Sequence, residues 1–122
     1  MTVAASNAWS RREAARAGVA EARRMLNLAE SEASFQDKVV QLAELCGWEW
    51  WHDTDSRRNK AGLPDLLLVR PPRLVFAELK AEKGAVRPAQ RQWLELLGRC
   101  PGVEAYLWFP SDFEEVKEVL KR

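Results

Sequence analysis

Apolar positions recur at helical spacing through the first third of the chain. A narrow stripe of small and apolar residues predicts a helix over about residues 10–30, opened by the capping-box sequence SRRE. A second helix is predicted from residue 31 or 32 to Gly47, a residue type that often ends helices. The pattern is compatible with one continuous helix or with two. The stripe suits packing on another helix, in this chain or across a dimer, and consists of Ala15, Gly18, Ala22, Met25, Leu26 and Ala29.

Short apolar or aromatic runs downstream predict a sheet. The two middle runs are joined by Pro71-Pro72, a turn sequence, so we expect them to form an antiparallel hairpin. A polar, basic loop over residues 53–62 precedes this hairpin. The predicted strands are Trp48–His52, Leu66–Arg70, Leu74–Lys80 and Glu104–Phe109.

Two further helices complete the order α–α–β–β–β–α–β–α. Pro88 opens a helix that runs to about Leu97, because proline is tolerated in a first helical turn. The sequence SDFE at residues 111–114 is another capping box and opens the last helix. This alternation of strands and helices predicts an α/β fold.

Length and composition describe one compact domain. The 122 residues are 47% apolar and 30% charged, enough to bury a core without disulfides or metal ions. No apolar stretch could span a bilayer and no signal-peptide pattern is present, so we expect a cytoplasmic protein without membrane contact. Cys46 and Cys100 form no CxxC motif, which favours reduced, small hydrophobic residues over a disulfide or zinc site. At least some of the six tryptophans should be buried, and we interpret them as core residues rather than base-stacking platforms, although alternation allows one of Trp50 and Trp51 to be exposed.

The net charge of +1 conceals an uneven distribution. Residues 57–91 hold nine Lys or Arg and three acids, whereas residues 25–56 hold one Lys and seven acids. The basic stretch is compatible with a polyanionic partner and equally with a solvated surface.

Three charged residues interrupt the predicted hairpin where a strand that only packs would be apolar. Glu78 and Lys80 share one face of their strand, and the hairpin brings Asp65 beside them. A salt bridge from Lys80 to one acid would leave the second carboxylate unexplained, because neighbouring acids repel unless a cation or a proton intervenes. A bound metal ion resolves this conflict.

Two polar residues on helices are predicted to point to the same region. Periodicity places Glu32 and Gln36 on or beside the apolar face that contains Phe35 and Val39. Glu32 then aims at the sheet rather than the solvent, although acids are also favoured in a first helical turn. Gln90 lies on the apolar face of its own helix; backbone groups commonly satisfy such an inward glutamine.

This set of side chains suits phosphodiester hydrolysis. Carboxylates and water are the ligands that Mg²⁺ and Mn²⁺ prefer, and no His/Cys cluster argues for zinc. A metal ion at Asp65 and Glu78 would acidify water and polarise a phosphoryl oxygen, while Lys80 orients or helps deprotonate the water. Glu32 would add a metal or water ligand, and Gln90 would position a phosphate or a water.

The residues also match a known pattern. Pro64-Asp65, a gap of twelve residues and then Glu78-Leu79-Lys80 resemble the PD-(D/E)xK nuclease superfamily, whose core order is αβββαβ. Residues 32 to about 120 are similar to its VRR-NUC (virus-type replication-repair nuclease) family. The resemblance implies a four-stranded mixed sheet flanked by helices, with an extra N-terminal and a C-terminal helix. The matching segments are EASFQ, GWEWWHDTDSRRNKAGLPD, LVFAELKAEKG, PAQRQWLELL and VEAYLWFP.

The resemblance assigns roles to the residues of the hairpin. Asp65, Glu78 and the backbone carbonyl of Leu79 are implied to bind the metal ion, and Lys80 is implied to be catalytic. Two helical residues are implied to complete the site, and they are Glu32 and Gln90.

The loop before Asp65 carries cations that should lie near the scissile phosphate. Arg57 is the favoured phosphate contact, although a solvated loop is a fair alternative. His52, next to this loop, is interpreted as structural. Further candidates for DNA binding are Ser56, Arg58 and Lys60 in the loop and Lys83, Arg87 and Arg91 around the third strand and the next helix.

These features predict a Mg²⁺- or Mn²⁺-dependent, structure-specific DNA endonuclease acting on branched DNA, Holliday-junction-resolvase-like or flap-type, in replication, recombination or repair. The alternative is a non-catalytic DNA-binding or assembly module that retains the fold. Single-domain members of the family are typically from phages or bacteria. We expect a homodimer, because resolving a symmetric junction needs two sites related by a two-fold axis. We divide the chain into an N-terminal helical extension, residues 1–30, and a nuclease domain, residues 31–122.

Overall fold

The computed structural model describes the backbone of residues 3–53 and 61–122, and side chains from residue 10 onward within those ranges. The predicted order of elements is confirmed. The helices are α1 (Val3–Ala29), α2 (Glu32–Leu45), α3 (Pro88–Gly98) and α4 (Phe113–Lys121), with a 3-10 helix at Pro110–Asp112. The strands are β1 (Glu49–His52), β2 (Leu66–Arg70), β3 (Arg73–Leu79) and β4 (Val103–Trp108).

Within the described residues, the four strands form one mixed sheet in the order β1-β2-β3-β4. β2 runs antiparallel to both of its neighbours, and β4 runs parallel to β3. The predicted hairpin is confirmed, because Leu66 pairs with Ala77 and Arg70 pairs with Arg73 across the Pro71-Pro72 turn. The parallel pair needs a crossover connection, and α3 supplies it.

The hydrophobic core lies between one face of the sheet, here called the core face, and the helices α2 and α4. α2 buries Phe35, Val39 and Ala43 completely, as its periodicity predicts. Burial of this apolar surface is the main driving force for folding. The remaining core side chains are Trp48, Leu66, Leu68, Val75, Ala77, Leu79, Trp108, Val116, Val119 and Leu120.

The opposite face of the sheet, here called the α3 face, carries the predicted charged residues. Side chains alternate along a strand, so Glu78 points away from the core face that Ala77 and Leu79 occupy. α3 packs on this opposite face, mainly against β4 and β3. The β1–β2 half of the same face includes Trp51 and Leu67, which pair across those strands.

The two N-terminal helices are separate, and the first begins earlier than predicted. α1 starts at Val3, so the sequence SRRE lies inside the helix rather than at its start. The prediction is wrong because Ser10 lies within continuous helical backbone and is exposed to solvent, where it caps nothing. Ser31 has extended backbone and separates α1 from α2. Its hydroxyl caps α2 by accepting a hydrogen bond from the Ser34 N–H at 3.0 Å. Gly47, at φ +83°, follows the end of α2, as predicted.

The predicted cap of the last helix is also wrong. A 3-10 turn precedes α4, and Asp112 Oδ2 accepts a hydrogen bond from the Phe109 N–H at 2.9 Å. Ser111, the predicted cap, instead donates its backbone N–H to Glu82 Oε1 at 3.0 Å. Asp112 thus closes the turn that precedes α4. The local sequence pattern is the same for such a turn and for a capping box, so it cannot distinguish them.

Trp50 and Trp51 are both exposed, at 41% and 51%, whereas alternation allowed one of them to be exposed. β1 is an edge strand, and each of its residues from Glu49 to Trp51 is exposed. Among the described helices, none combines the length and the apolar character needed to cross a membrane.

Candidate active site

Asp65 and Glu78 lie at the open end of the β2–β3 hairpin. The paired register ends with Leu66 opposite Ala77, so Asp65 and Glu78 are the next two residues to face each other. Directly opposed side chains have Cβ atoms roughly 5 Å apart. The Asp53 N–H donates to the Asp65 carbonyl at 2.9 Å and so extends the β1–β2 ladder as far as Asp65. The predicted meeting of the two acids therefore follows from strand pairing.

Both acids carry an oxygen atom that is buried and unpaired. Glu78 is only 4% exposed, and its Oε1 accepts a hydrogen bond from Gln90 Nε2 at 3.1 Å. Glu78 Oε2 and Asp65 Oδ1 have no hydrogen-bond partner in the described part of the chain. A buried acceptor without a partner is costly, so these two oxygens are candidate ligand atoms.

Both carboxyl groups have raised pKa values, and the charge of Asp65 opposes the ionisation of Glu78. Burial, followed by the charge of Asp65, raises the pKa of Glu78 to about 7 against the opposing effect of Lys80. Burial also raises the pKa of Asp65 above its ordinary value, and the charge of Glu32 adds to the shift. At neutral pH the site therefore favours either a retained proton or a bound cation.

Lys80 extends from the same end of β3. Its backbone N–H donates to the Trp108 carbonyl at 3.0 Å, which anchors the residue to β4. Its side chain is 12% exposed, and its Nζ lies 3.7 Å from Glu78 Oε1. A Cβ at Gly84 would lie 3.2 Å from the Lys80 Cβ, so the turn after β3 packs against the lysine stem. Lys80 is thus held beside the acids, with its charge only partly compensated.

Gln90 points inward from the first turn of α3, as predicted. Its Oε1 accepts a hydrogen bond from the Arg87 N–H at 2.9 Å, and its Nε2 donates to Glu78. One end of the amide is thus satisfied by a backbone group, as is common for an inward glutamine, and the other end binds Glu78. A role of Gln90 in positioning a phosphate or a water stays a prediction. Gln90 fixes the orientation of the Glu78 carboxylate and leaves Oε2 free.

Glu32 differs from its prediction. It is exposed to solvent rather than directed only at the sheet, because it is the first residue of α2 and lies at the end of the packed helix. Its charge nevertheless raises the pKa of both Asp65 and Glu78, so it lies within electrostatic reach of them. Leu79 places its side chain fully in the core, which leaves its backbone carbonyl as the group available to a ligand.

The donor set fits part of the coordination shell of a hard cation. The described residues contain no group of three His, Cys, Asp or Glu side chains arranged to hold a metal ion. Mg²⁺ is commonly bound by one or two carboxylates and keeps several water ligands. Asp65 Oδ1 and Glu78 Oε2, both buried and unpaired, match that requirement.

The candidate DNA contacts fall into two groups. Three of them, Lys83, Arg87 and Arg91, are exposed, and Arg87 immediately precedes α3. The other four, Ser56, Arg57, Arg58 and Lys60, lie outside the described residues.

Gly62 was not identified from the sequence, and it positions the site. It has φ +91°, and a Cβ there would lie 2.5 Å from the Ala89 carbonyl carbon in α3. Only glycine allows both this backbone conformation and this close approach. Gly62 therefore brings the segment that leads to Asp65 against the turn that carries Gln90. The signal in the sequence was the presence of a glycine three residues before Asp65, since glycine often marks a close approach of two backbone segments.

Comparison with known proteins agrees with this geometry. A family model, the VRR-NUC domain, matches residues 4–108, which include most of α1, the whole of α2, the sheet and α3. No match was found among curated proteins or among solved structures. The suspected family is confirmed, while the division at residue 30 stays a prediction. With the match covering most of its length, the chain belongs to the VRR-NUC domain family, which makes it a nuclease of the PD-(D/E)xK type that acts on DNA.

Proposed function

We propose that this protein is a Mg²⁺- or Mn²⁺-dependent endonuclease that cleaves branched DNA. The observation that carries the proposal is the pair Asp65, which is half-buried, and Glu78, which is buried, each with a buried and unpaired oxygen, beside Lys80. Two neighbouring acids that repel each other need a cation or a proton between them. A divalent cation bound together with a DNA phosphate would satisfy both acids.

Each residue of the site has a separate task. Asp65, Glu78 and the Leu79 carbonyl would hold the cation, with Glu32 as an additional ligand from the solvent side. When bound, a divalent cation polarises the scissile phosphate and makes water more acidic. Gln90 keeps Glu78 oriented through its 3.1 Å hydrogen bond. Lys80 supplies donors and positive charge to a phosphate oxygen or to the attacking water.

Exposed cations support DNA as the substrate. Lys83 and Arg91 extend positive charge along the side of the molecule where α3 begins, and phosphate contacts of this kind dominate DNA affinity. We propose Arg57 as the favoured phosphate contact, with Ser56, Arg58 and Lys60 of the same loop as further candidates. The charge balance of residues 57–91 supports this assignment.

A homodimer is part of the proposal, because two sites related by a two-fold axis suit a symmetric junction. Val19, Met25 and Leu26 of α1 are exposed and offer an apolar surface to a second helix. Action in DNA replication, recombination or repair, in the cytoplasm of a bacterium or a phage-infected host, belongs to the same proposal.

Cleavage assays on matched substrates test the proposal. Labelled four-way junction, flap and linear duplex are incubated with Mg²⁺, Mn²⁺ or EDTA. We expect metal-dependent cleavage of a branched substrate that falls at least about 100-fold in Asp65→Ala and Lys80→Ala, because these variants remove a ligand and the catalytic amine. Lys117→Ala, on α4 away from the site, is the matched control and should cleave like the wild type. Cleavage that persists in EDTA, or in Lys80→Ala, would refute the proposal.

A further inference from the structure

Two adjacent tryptophans on β1 have different environments. Trp50 pairs with Leu68 of the core face, and its indole N–H donates to Glu44 Oε1 at 2.9 Å. Trp51 pairs with Leu67 on the α3 face and is 51% exposed. Its side chain makes no hydrogen bond or ring contact with the described residues. Trp50 is therefore tied to α2, whereas Trp51 offers an exposed aromatic surface and an N–H donor that no described residue engages.

Burial in the fold does not account for Trp51. A tryptophan buries a large apolar surface when it packs, and an exposed one on an edge strand favours unwanted association. α3 packs mainly against the β3–β4 half of the same face, and on the other half the Trp51 side chain is left about half exposed by the described residues. An exposed aromatic side chain in such a position is better explained by a ligand than by packing.

The strand register places Trp51 next to the acidic pair. Leu67 is its direct partner. Asp65, two residues before Leu67 and just before β2 begins, lies on the same face of the sheet. The hydrogen bond from the Asp53 N–H to the Asp65 carbonyl shows that the same register continues to that point. Diagonal neighbours in an antiparallel ladder lie about 7–8 Å apart. That separation is about the rise of two stacked nucleotides, at roughly 3.4 Å each.

We propose that Trp51 stacks on an unpaired base of the bound DNA, within about two nucleotides of the scissile phosphate. The inference rests on the proposed function, since it requires DNA at Asp65 and Glu78. Within a duplex the faces of each base are already stacked, so a flat indole can engage only a flap, an end or an unpaired base. Trp51 then favours branched DNA over continuous duplex.

The charge around the site favours DNA over a protein as the occupant of this surface. Arg87 and Arg91 are exposed at the start of α3, which packs on the same face of the sheet as Trp51. Cations of this kind suit a backbone of phosphates, while an aromatic ring supplies the stacking that single-stranded DNA requires.

Binding measurements separate this inference from the nuclease activity. Trp51→Ala, Trp51→Phe and Trp50→Ala are each made in the Lys80→Ala protein and titrated, in EDTA, with a fluorescein-labelled flap and with a blunt duplex of the same sequence. Because stacking contributes substantially per base, Trp51→Ala should raise the Kd for the flap at least about fivefold and change the Kd for the duplex less than about twofold. Trp51→Phe, which keeps an aromatic ring, should retain most of the affinity, and Trp50→Ala should bind both substrates like the parent protein.

A second readout reports stacking directly. With 2-aminopurine as the first unpaired base of the flap, we expect its fluorescence to fall on binding to the Lys80→Ala protein and to recover in Trp51→Ala. Equal loss of affinity for flap and duplex, or no loss for either, would overturn the inference. A halved molecular mass of Trp51→Ala with unchanged DNA affinity would also overturn it and would assign this surface to a second copy of the chain.

The outcomes distinguish the two proposals. If the wild type cleaves no DNA but flap binding depends on Trp51, the nuclease proposal fails and the stacking inference stands. If a flap is cleaved and bound equally well by Trp51→Ala, the stacking inference fails and the nuclease proposal stands.

Discussion

At the scale of single residues, Glu78 shows how a buried candidate metal ligand lowers the stability of the fold that holds it. Its folded pKa of about 7 lies above the ordinary value of 4.5, so the folded state holds this proton more tightly than the unfolded chain does. The metal-free protein therefore keeps its full stability below about pH 4.5 and loses part of it as the pH rises to about 7. At neutral pH an ionised Glu78 therefore lowers the free energy of unfolding unless a cation is bound beside it.

We therefore expect Glu78→Gln to be more stable than the wild type, by about 1–3 kcal/mol at pH 8 without divalent ions, and to lose this advantage near pH 5. Urea unfolding at both pH values measures the difference. Mg²⁺ should stabilise the wild type and leave Glu78→Gln unchanged. Glu118→Gln, at an exposed position on α4, is the control and should show neither effect. A wild type whose free energy of unfolding is equal at the two pH values would contradict this account.

Gly62→Ala tests the contact between the loop and α3. The new Cβ would lie 2.5 Å from the Ala89 carbonyl carbon, in backbone at φ +91°. We expect a loss of about 2 kcal/mol or more in the free energy of unfolding, together with reduced cleavage, because Asp65 and Gln90 would shift apart. Gly18→Ala is the matched control, since a Cβ there meets nothing within 4 Å and α1 should gain about 0.5–1 kcal/mol. Unchanged stability of Gly62→Ala would show that the contact is not required.

At the scale of elements, an ion pair joins β3 to the edge strand β4. Arg73 donates to both oxygens of Glu104, at 2.7 and 2.8 Å, and to the Val119 carbonyl of α4 at 2.9 Å. The Tyr106 hydroxyl donates to Glu104 Oε1 at 2.6 Å. The hydrogen bond from Arg73 is the main cause that lowers the pKa of Glu104 to about 2. This network fixes the strand on which Lys80 is anchored.

The lowered pKa of Glu104 predicts a pH-dependent contribution to stability. Because the folded pKa lies below the ordinary 4.5, the contribution is present above pH 4.5 and is lost as the pH falls toward 2. Allowing for solvent screening, we expect Glu104→Gln to lower the free energy of unfolding by about 1–2 kcal/mol at pH 7 and much less near pH 3. Urea unfolding across this range measures it. A difference that persists unchanged at pH 3 would show that the effect does not come from the charge.

At the scale of the whole molecule, α1 stands apart from the site. Its contacts with the rest of the fold are mainly with the 3-10 helix, and it exposes Val19, Met25 and Leu26. A helix with an uncovered apolar surface suits an interface between two copies of the chain.

Removal of residues 1–30 should therefore convert a dimer to a monomer while the remaining domain stays folded, because the core is built from α2, α4 and the sheet. Light scattering of the full chain and of the truncated chain measures the mass. Leu26→Asp in the full chain is a milder variant and should weaken the dimer without removing α1. An unchanged mass after truncation would reject the assembly role of the helix.

The strands and the hairpin were predictable because their signals are local. Leu66–Arg70 was assigned with its correct bounds, and the register that joins Asp65 to Glu78 followed from a short turn and from alternation. Helix starts were less predictable, because the capping-box pattern does not occur only at helix starts. SRRE lies inside α1, and SDFE overlaps the 3-10 turn that precedes α4. The exposure of Glu32 was not predicted, because periodicity gives a direction around the helix axis but does not show where the packed neighbours end.

The amino-acid sequence by itself determined which chemistry is possible. The order of its apolar runs sets the strands, and the alternation of side chains places Asp65, Glu78 and Lys80 on one face. Only the tertiary structure decided that Glu78 is buried with an unpaired oxygen and that Gln90 orients it. Burial and exposure are properties of packing between segments far apart in the chain, so no local pattern contains them.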